Sequence, residues 1–221
     1  MKRALIIGSS GGIGRALASG LTARSWQVTG VSRSSDGLDV TQEASVARHL
    51  GALDGPFQRI IIATGALEID GHQPEKAVKH LTAEAMAAQF ALNAIGPALV
   101  IKHATALLPR DSPAVIAALS ARVGSIGDNR AGGWHSYRAA KAALNQIIRG
   151  AAIELGRTHR HAVCVALHPG TVATRFTGKY LGRHPAVSPD QAAASLLEVI
   201  DGLSPAQSGQ FYDWAGEPVP W

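Results

Sequence analysis

The sequence predicts an α/β chain: a doubly wound, mainly parallel seven-stranded sheet flanked by helices. Short apolar runs alternate with longer stretches of helical period from one end to the other. The first apolar run ends in a glycine-rich turn that opens a helix, Gly8-Ser9-Ser10-Gly11-Gly12-Ile13-Gly14. A length of 221 residues, with 46% hydrophobic and 17% charged, excludes a disordered chain and suits one domain over residues 1–221.

The elements follow in order. Ala4–Ile7 is a continuous apolar run, as expected of a strand buried on both faces. Gly14–Arg24 carries Leu17 and Leu21 at helical spacing. Gln27–Val31 is the second strand and Gly37–Val40 the candidate third. The connection Ser32–Asp39 is too short for a full helix between them. Glu43–Leu53 places Ala44, Ala47 and Leu50 on one helical face. Arg59–Ala63 is a strand. Glu75–Leu81 and the Ala-rich Ala83–Leu108 read as helical, the latter broken near Gly96-Pro97. Ala114–Leu119 is a strand, Tyr137–Leu155 a helix, and Ala162–Leu167 a strand ended by His168-Pro169-Gly170. Pro189–Ile200 is a helix with Ser188 as N-cap, and Gln210–Trp214 is the last strand. The right-handed crossover rule turns this alternation into a doubly wound sheet.

Composition narrows the function classes. The formal charge of +5 is scattered, with no basic stripe of the kind that tracks nucleic acid. Cys164 is the single cysteine, so no internal disulfide forms. The apolar run after Met1-Lys2-Arg3 is too short for a signal peptide, and no uninterrupted apolar stretch suits a membrane span. A cytoplasmic location is expected. His159 and His161 have the wrong spacing for a metal on one helix face, and no metal site is expected.

Gly8, Gly12 and Gly14 are spaced GxxxGxG at the first strand–helix junction. Glycines there allow positive φ and close approach, and free N–H groups at the helix start face an anion. The turn lacks the Gly-Lys-Ser/Thr of a P-loop, and Ser10 stands where GxGxxG needs glycine. Ser10 and Ile13 join the three glycines as cofactor-binding candidates. After the second strand the chain reads Ser32-Arg33-Ser34. A selective NAD site has a carboxylate there. A guanidinium suits a 2′-phosphate, so Arg33 points to NADP(H), with NAD(H) as the other possibility.

Tyr137 and Lys141 lie four apart on one helix face. A carbonyl receiving a hydride becomes an alkoxide that needs a proton, and a phenol beside an ammonium can give it.

Together these residues resemble the classical short-chain dehydrogenase/reductase family, a Rossmann-type fold, along essentially the whole chain. The resemblance implies an oxidoreductase acting on a small carbonyl or alcohol, and a homodimer or homotetramer formed through Ala-rich helices. Tyr137 and Lys141 match its YxxxK motif, whose two residues are catalytic and also contact the cofactor. Asn93 matches the helix-borne Asn that holds a proton-relaying water. Asp39 and Val40 match the pair beside the adenine. Pro169, Gly170, Val172 and Thr174 match the segment that contacts the nicotinamide amide. The family's Asn-Asn-Ala-Gly is replaced by Ile62-Ala63-Thr64-Gly65, so Ala63, Thr64 and Gly65 occupy cofactor-binding positions with only the glycine kept. Ser120-Ala121-Arg122-Val123-Gly124-Ser125-Ile126 and Gly209-Gln210-Phe211-Tyr212-Asp213-Trp214 are similar to a C-factor-like subgroup that includes small carbonyl reductases. Its namesake is tied to bacterial cell–cell signalling, which leaves a weakly catalytic dinucleotide-binding sensor as the alternative function.

The family's second oxyanion donor, a serine, aligns with Ala121, which has no hydroxyl. Ser120 takes the role if a bulge turns it, and Ser125 is the alternative. The segment 175–187 corresponds to the family's substrate lid.

Overall fold

The computed structural model describes residues 1–174, 178–179 and 186–221. The first half runs β1 (Arg3–Ile7), α1 (Gly12–Ala23), β2 (Gln27–Val31), α2 (Arg33–Asp36), α3 (Glu43–Gly51), β3 (Arg59–Ile62) and α4 (Ala83–Phe90). The second runs α5 (Gly96–Ala104), β4 (Ala114–Leu119), α6 (His135–Thr158), β5 (Ala162–His168), α7 (Pro189–Asp201) and β6 (Phe211–Asp213). The sheet is parallel throughout, in the order β2-β1-β3-β4-β5-β6. The winding direction reverses between β1 and β3. In open sheets of this kind the ligand crevice lies at such a reversal, outside the carboxyl ends of the strands.

Burial explains the strand sequences. In β1 and β3–β5 alternate residues enter different cores. Leu5, Ile7, Ile60, Ile62, Ile116 and Cys164 pack with Leu50, Val100, Leu144 and Ile148 from α3, α5 and α6. Ala4, Ile6, Ile61, Val163 and Val165 pack with Leu17, Leu21, Leu196 and Leu197 from α1 and α7. Each such Leu or Ile contributes about 1.5–3 kcal/mol by leaving water. Both faces are covered, so the strands read as unbroken apolar runs.

Two expectations need correction. The sheet has six strands among the described residues, not seven, and Gly37–Val40 is not a strand. A parallel neighbour needs a crossover of a dozen or more residues, and Ser32–Asp39 is shorter. The chain instead makes the single turn α2, ends it at Gly37 (φ 74°), and drops Leu38 and Val40 into the core. Glu75–Leu81 is not a helix but a loop with one 3₁₀ turn at Val78–His80. The Glu75 side chain is buried and bonded to Ser136, far along the chain, rather than to its own helix.

The stretch Ala83–Leu107 is long and apolar enough to cross a membrane, at mean hydropathy 1.3. It packs on α3 and α6. It also carries the buried, hydrogen-bonded Gln89 and Asn93 in its middle, as a core helix does. The expected break at Gly96-Pro97 is a π-helical turn, Ala91–Ile95, between α4 and α5. Pro97 has no N–H, so the carbonyl of Asn93 loses its i+4 donor and the turn widens. α7 starts as its sequence predicts: Ser188 and Gln191 form a reciprocal capping box, with Pro189 in the first turn.

Candidate active site

The crevice is lined first by backbone. Gly8 (φ 90°) follows β1 and touches the end of β3: a Cβ there would lie 2.9 Å from the Ala63 carbonyl carbon and oxygen. A Cβ on Gly14 would sit 2.2 Å from the Gly8 oxygen, so the loop closes this tightly only with glycine. Gly12 abuts Thr174, whose methyl would be 2.8 Å from an added Cβ. Gly11 is the N-cap of α1 and gives no side-chain cap. The first turn of α1 has no acidic residue either. Its N–H groups therefore point at the crevice, the arrangement that binds phosphate. Ser10 supplies its carbonyl to Arg15, 3.0 Å away, which ties the loop to the helix. Ile13 packs on the core beneath.

Past β2 lies one end of this region. Ser32 caps α2 and Arg33 is exposed at its start. Asp39 accepts from the Thr41 hydroxyl (2.7 Å) and N–H (2.9 Å). These bonds, against some burial and with help from Arg33, hold its carboxyl below the usual range. Val40 is buried against Gly96, where a Cβ would approach it to 2.8 Å. The sequence reading missed Asp36, whose carboxylate accepts the Ser32 N–H at 2.8 Å. A carboxylate thus stands near the end of β2, committed to the backbone of its own turn.

The other end carries side-chain chemistry. Gly65 (φ 150°) lies between Asn93 and Lys141: a Cβ there would be 2.8 Å from Asn93 Oδ1 and 3.6 Å from Lys141 Nζ. Asn93 is fully buried and donates from Nδ2 to the Ala66 carbonyl (2.9 Å) and to Gln89 Oε1 (2.7 Å). Lys141 Nζ donates to the Leu119 carbonyl at 2.9 Å and stands 5.8 Å from the centre of the Tyr137 ring. Burial alone brings the Lys141 ammonium down to about 7 and pushes the Tyr137 phenol above its ordinary value. Thr64 Oγ1 is buried and without a hydrogen-bond partner.

Pro169 and Gly170 follow β5, and Gly170 (φ 78°) lies under the Trp214 indole, 3.0 Å from a would-be Cβ. Val172 is buried and Thr174 returns to Gly12. His168, just before, is driven down to about 4 by burial and by Arg122, against the pull of Asp213.

The structure therefore brings together Gly8 with Ala63, Gly12 with Thr174, and Asn93, Gly65, Lys141 and Tyr137 in a chain. The Ser120 hydroxyl is engaged by another partner. β4 keeps regular register with β5 through Leu119, and Ala121 continues extended, so no bulge turns Ser120. Its Oγ donates to Asn145 Oδ1 at 2.6 Å. Ser125 is buried, and its Oγ accepts the Asp128 N–H at 3.1 Å. Asn145 was missed although it lies one turn past Lys141 on the same helix face, a spacing visible in the sequence. In the lid, Arg175, Phe176, Tyr180, Leu181 and Arg183 lie outside the described residues. Lys179 pairs with Glu68 at 2.8 Å.

This arrangement has counterparts. Residues 8–201 match the family described as enoyl-(acyl carrier protein) reductase, a branch of the short-chain enzymes. The chain belongs to the short-chain dehydrogenase/reductase family. It is 33% identical over 188 residues to the 1-hydroxy-2-glutathionyl-2-methyl-3-butene dehydrogenase of Rhodococcus sp. (strain AD45), covering 84% of this chain and 79% of that one. It is 36% identical over 136 residues to the C-signal protein of Myxococcus xanthus, covering 62% and 78%. A putative short-chain dehydrogenase/reductase from Burkholderia multivorans, solved with bound NADP, superposes with a TM-score of 0.81 at 25% identity over 100% of this chain and 99% of that one. NADPH-bound carbonyl reductase from chicken fatty liver shares the fold, with a TM-score of 0.83 at 23% identity over 100% and 94%. The protein is thus an oxidoreductase of this family, and NADP(H) is a cofactor within it.

Proposed function

We propose that this short-chain enzyme interconverts a small carbonyl compound and its alcohol with NADP(H), using Tyr137 to move the proton. The observation that carries the reading is the continuous set Asn93–Gly65–Lys141–Tyr137 at the mouth of a glycine-lined crevice. The residues fit a dinucleotide. The Gly8–Gly14 cradle leaves no room for a Cβ, the N–H groups of α1 face it, and the orphaned Thr64 hydroxyl is a buried group that a ligand would satisfy. When bound, the nicotinamide gives or takes the hydride.

The protein's own groups do the rest. Gly8, Ser10, Gly12, Ile13 and Gly14 hold the pyrophosphate by backbone, and Arg33 holds the 2′-phosphate. Asp39 and Val40 flank the adenine. Ala63, Thr64, Gly65, Pro169, Gly170, Val172 and Thr174 border the nicotinamide end. Tyr137 Oη gives its proton to the carbonyl oxygen as that oxygen becomes an alkoxide. The nearby Lys141 ammonium lowers the cost of the phenolate left behind. The phenolate recovers its proton from solvent by way of Lys141 and a water on the Asn93 carbonyl, which Pro97 leaves without its i+4 donor. Since β4 ends without a bulge, Ser120 serves as the second donor to the alkoxide only by rotating its side chain away from Asn145; Ser125 is the alternative.

A second reading, dinucleotide binding with little turnover, rests on Ala121 and on the Ser120 hydroxyl being held by Asn145. NADPH consumption against a panel of ketones, aldehydes and quinones separates the two. Turnover supports the enzyme. Micromolar NADPH binding with no turnover supports the sensor. We also place the protein in the cytoplasm as a homodimer or homotetramer. The half-exposed Ile95 and Ile153, near and on the Ala-rich helices, are consistent with a helix–helix contact, and light scattering at micromolar concentration tests it.

A further inference from the structure

α6 carries Tyr137 in its first turn yet has no cap of its own. The residue before it, Trp134, is left-handed (φ 52°) and makes no side-chain cap. The cap comes from 61 residues upstream. Glu75, in the loop after β3, is buried. Its Oε2 accepts the Ser136 N–H at 3.2 Å, and its Oε1 accepts the Ser136 hydroxyl. The Glu75 carbonyl also accepts the Trp134 N–H at 2.6 Å. Gly133 (φ 63°) supplies the left-handed turn that brings the chain to this carbonyl.

Burial raises the Glu75 carboxyl, but the Ser136 hydroxyl, the backbone N–H groups of Glu75 and Ser136, and His135 together hold it net below the usual range. It is therefore a carboxylate at the positive end of a 24-residue helix, a favourable placement. The same loop is fastened at its other end to the relay: Ala66 bonds to Asn93 and Leu67 to Gln89. One strap thus touches both the Asn93 station and the start of the Tyr137 helix.

We propose that Glu75 is a positioning residue: it caps α6 in trans through Ser136 and so fixes the Tyr137 phenol relative to Lys141 and Asn93. This rests on the reading of Tyr137 as proton donor. A capping role confined to stability would lower the melting temperature and leave chemistry alone. A positioning role lowers kcat while NADPH binding, built at the far glycine end, is kept.

The test uses the full chain with a quinone or aldehyde that the panel shows to be turned over. Glu75→Ala should lower kcat roughly tenfold or more, since small misplacements of a reacting group are that damaging. KM for NADPH should stay within about threefold. Glu75→Gln keeps an acceptor for Ser136 and should restore most of kcat. If Glu75→Ala fails to fold, Ser136→Ala removes the hydroxyl half of the cap and should show the same split to a smaller degree.

A second readout needs no substrate. Absorbance titration, with Tyr137→Phe as blank, follows the Tyr137 phenol alone. Its ionisation should fall towards the ordinary tyrosine value in Glu75→Ala and stay near wild type in Glu75→Gln. Wild-type kcat in both Glu75→Ala and Ser136→Ala, or an unmoved Tyr137 ionisation in Glu75→Ala, overturns the proposal. Turnover that survives Tyr137→Phe sinks the proposed mechanism instead, and the titration still decides the role of Glu75.

Discussion

The two ends of the crevice are built differently. The glycine end, proposed to hold phosphate, is backbone: Gly8, Gly12 and Gly14 approach Ala63, Thr174 and each other so closely that a single Cβ would collide. The Tyr137 end, proposed to hold the carbonyl, is side chain: Asn93 donates to the Ala66 carbonyl, Lys141 to the Leu119 carbonyl and Ser120 to Asn145, each bond reaching a different element. Backbone shape is dictated locally by residue type, so the first end tolerates almost no substitution. Side-chain direction depends on tertiary partners, so the second end can be rewired, as Ala121 and the Ser120–Asn145 pair show.

Substitution at each end should break different functions. The largest loss of binding is expected from Gly14→Ala. Its Cβ would stand 2.2 Å from the Gly8 carbonyl oxygen, so the loop must move. NADPH affinity should fall by about 10²-fold or more, on the order of 3 kcal/mol, read by cofactor fluorescence titration. Affinity within a few-fold of wild type would show that the loop is not the phosphate site.

At the other end the second donor is at issue. The true donor to the alkoxide should cost on the order of 10²-fold in kcat when changed to alanine. Ser120→Ala is expected to show it and Ser125→Ala to show little. The reverse result would move the role to Ser125. No effect from either would favour the sensor.

The cofactor preference sharpens the contrast within the phosphate end itself. Arg33→Ala should weaken NADP⁺ by about tenfold or more and leave NAD⁺ nearly unchanged, because one charge-assisted guanidinium–phosphate contact is lost. Equal losses for both would remove Arg33 from the 2′-phosphate site.

The same contrast explains what the sequence disclosed. The glycine turn, the alternation of strands with helices and the Ser188 cap were legible because local chemistry decides them. The YxxxK pair was legible because helical spacing puts Tyr137 and Lys141 on one face. The missing seventh strand was not: Leu38 and Val40 are apolar because they reach the core from an irregular segment, which a strand pattern imitates. The Glu75 cap was invisible, since no local spacing links it to Ser136. Asn145 was legible in principle from the Tyr137–Lys141 face. The direction of Ser120 was not, because it depends on whether the end of β4 bulges.

One further expected effect concerns stability. His168 is held down to about 4 in the folded chain, against about 6.5 when unfolded. Between these values the unfolded chain binds more protons, so stability rises with pH across this window and is lost as pH falls through it. The contribution is at most about 3 kcal/mol at 1.36 kcal/mol per pH unit. Melting temperature should climb from pH 4 to 6.5 in wild type and climb less in His168→Asn. Identical slopes would show that His168 is not buried neutral.

The central claim is that Tyr137 moves the proton while the glycine end supplies most of the cofactor binding. Tyr137→Phe, measured for both NADPH turnover and NADPH affinity, tests it most directly. The account predicts that kcat falls by roughly 10²–10⁴-fold while the dissociation constant for NADPH stays within a few-fold of wild type. Turnover near the wild-type rate, or a collapse of NADPH binding with folding intact, would contradict it.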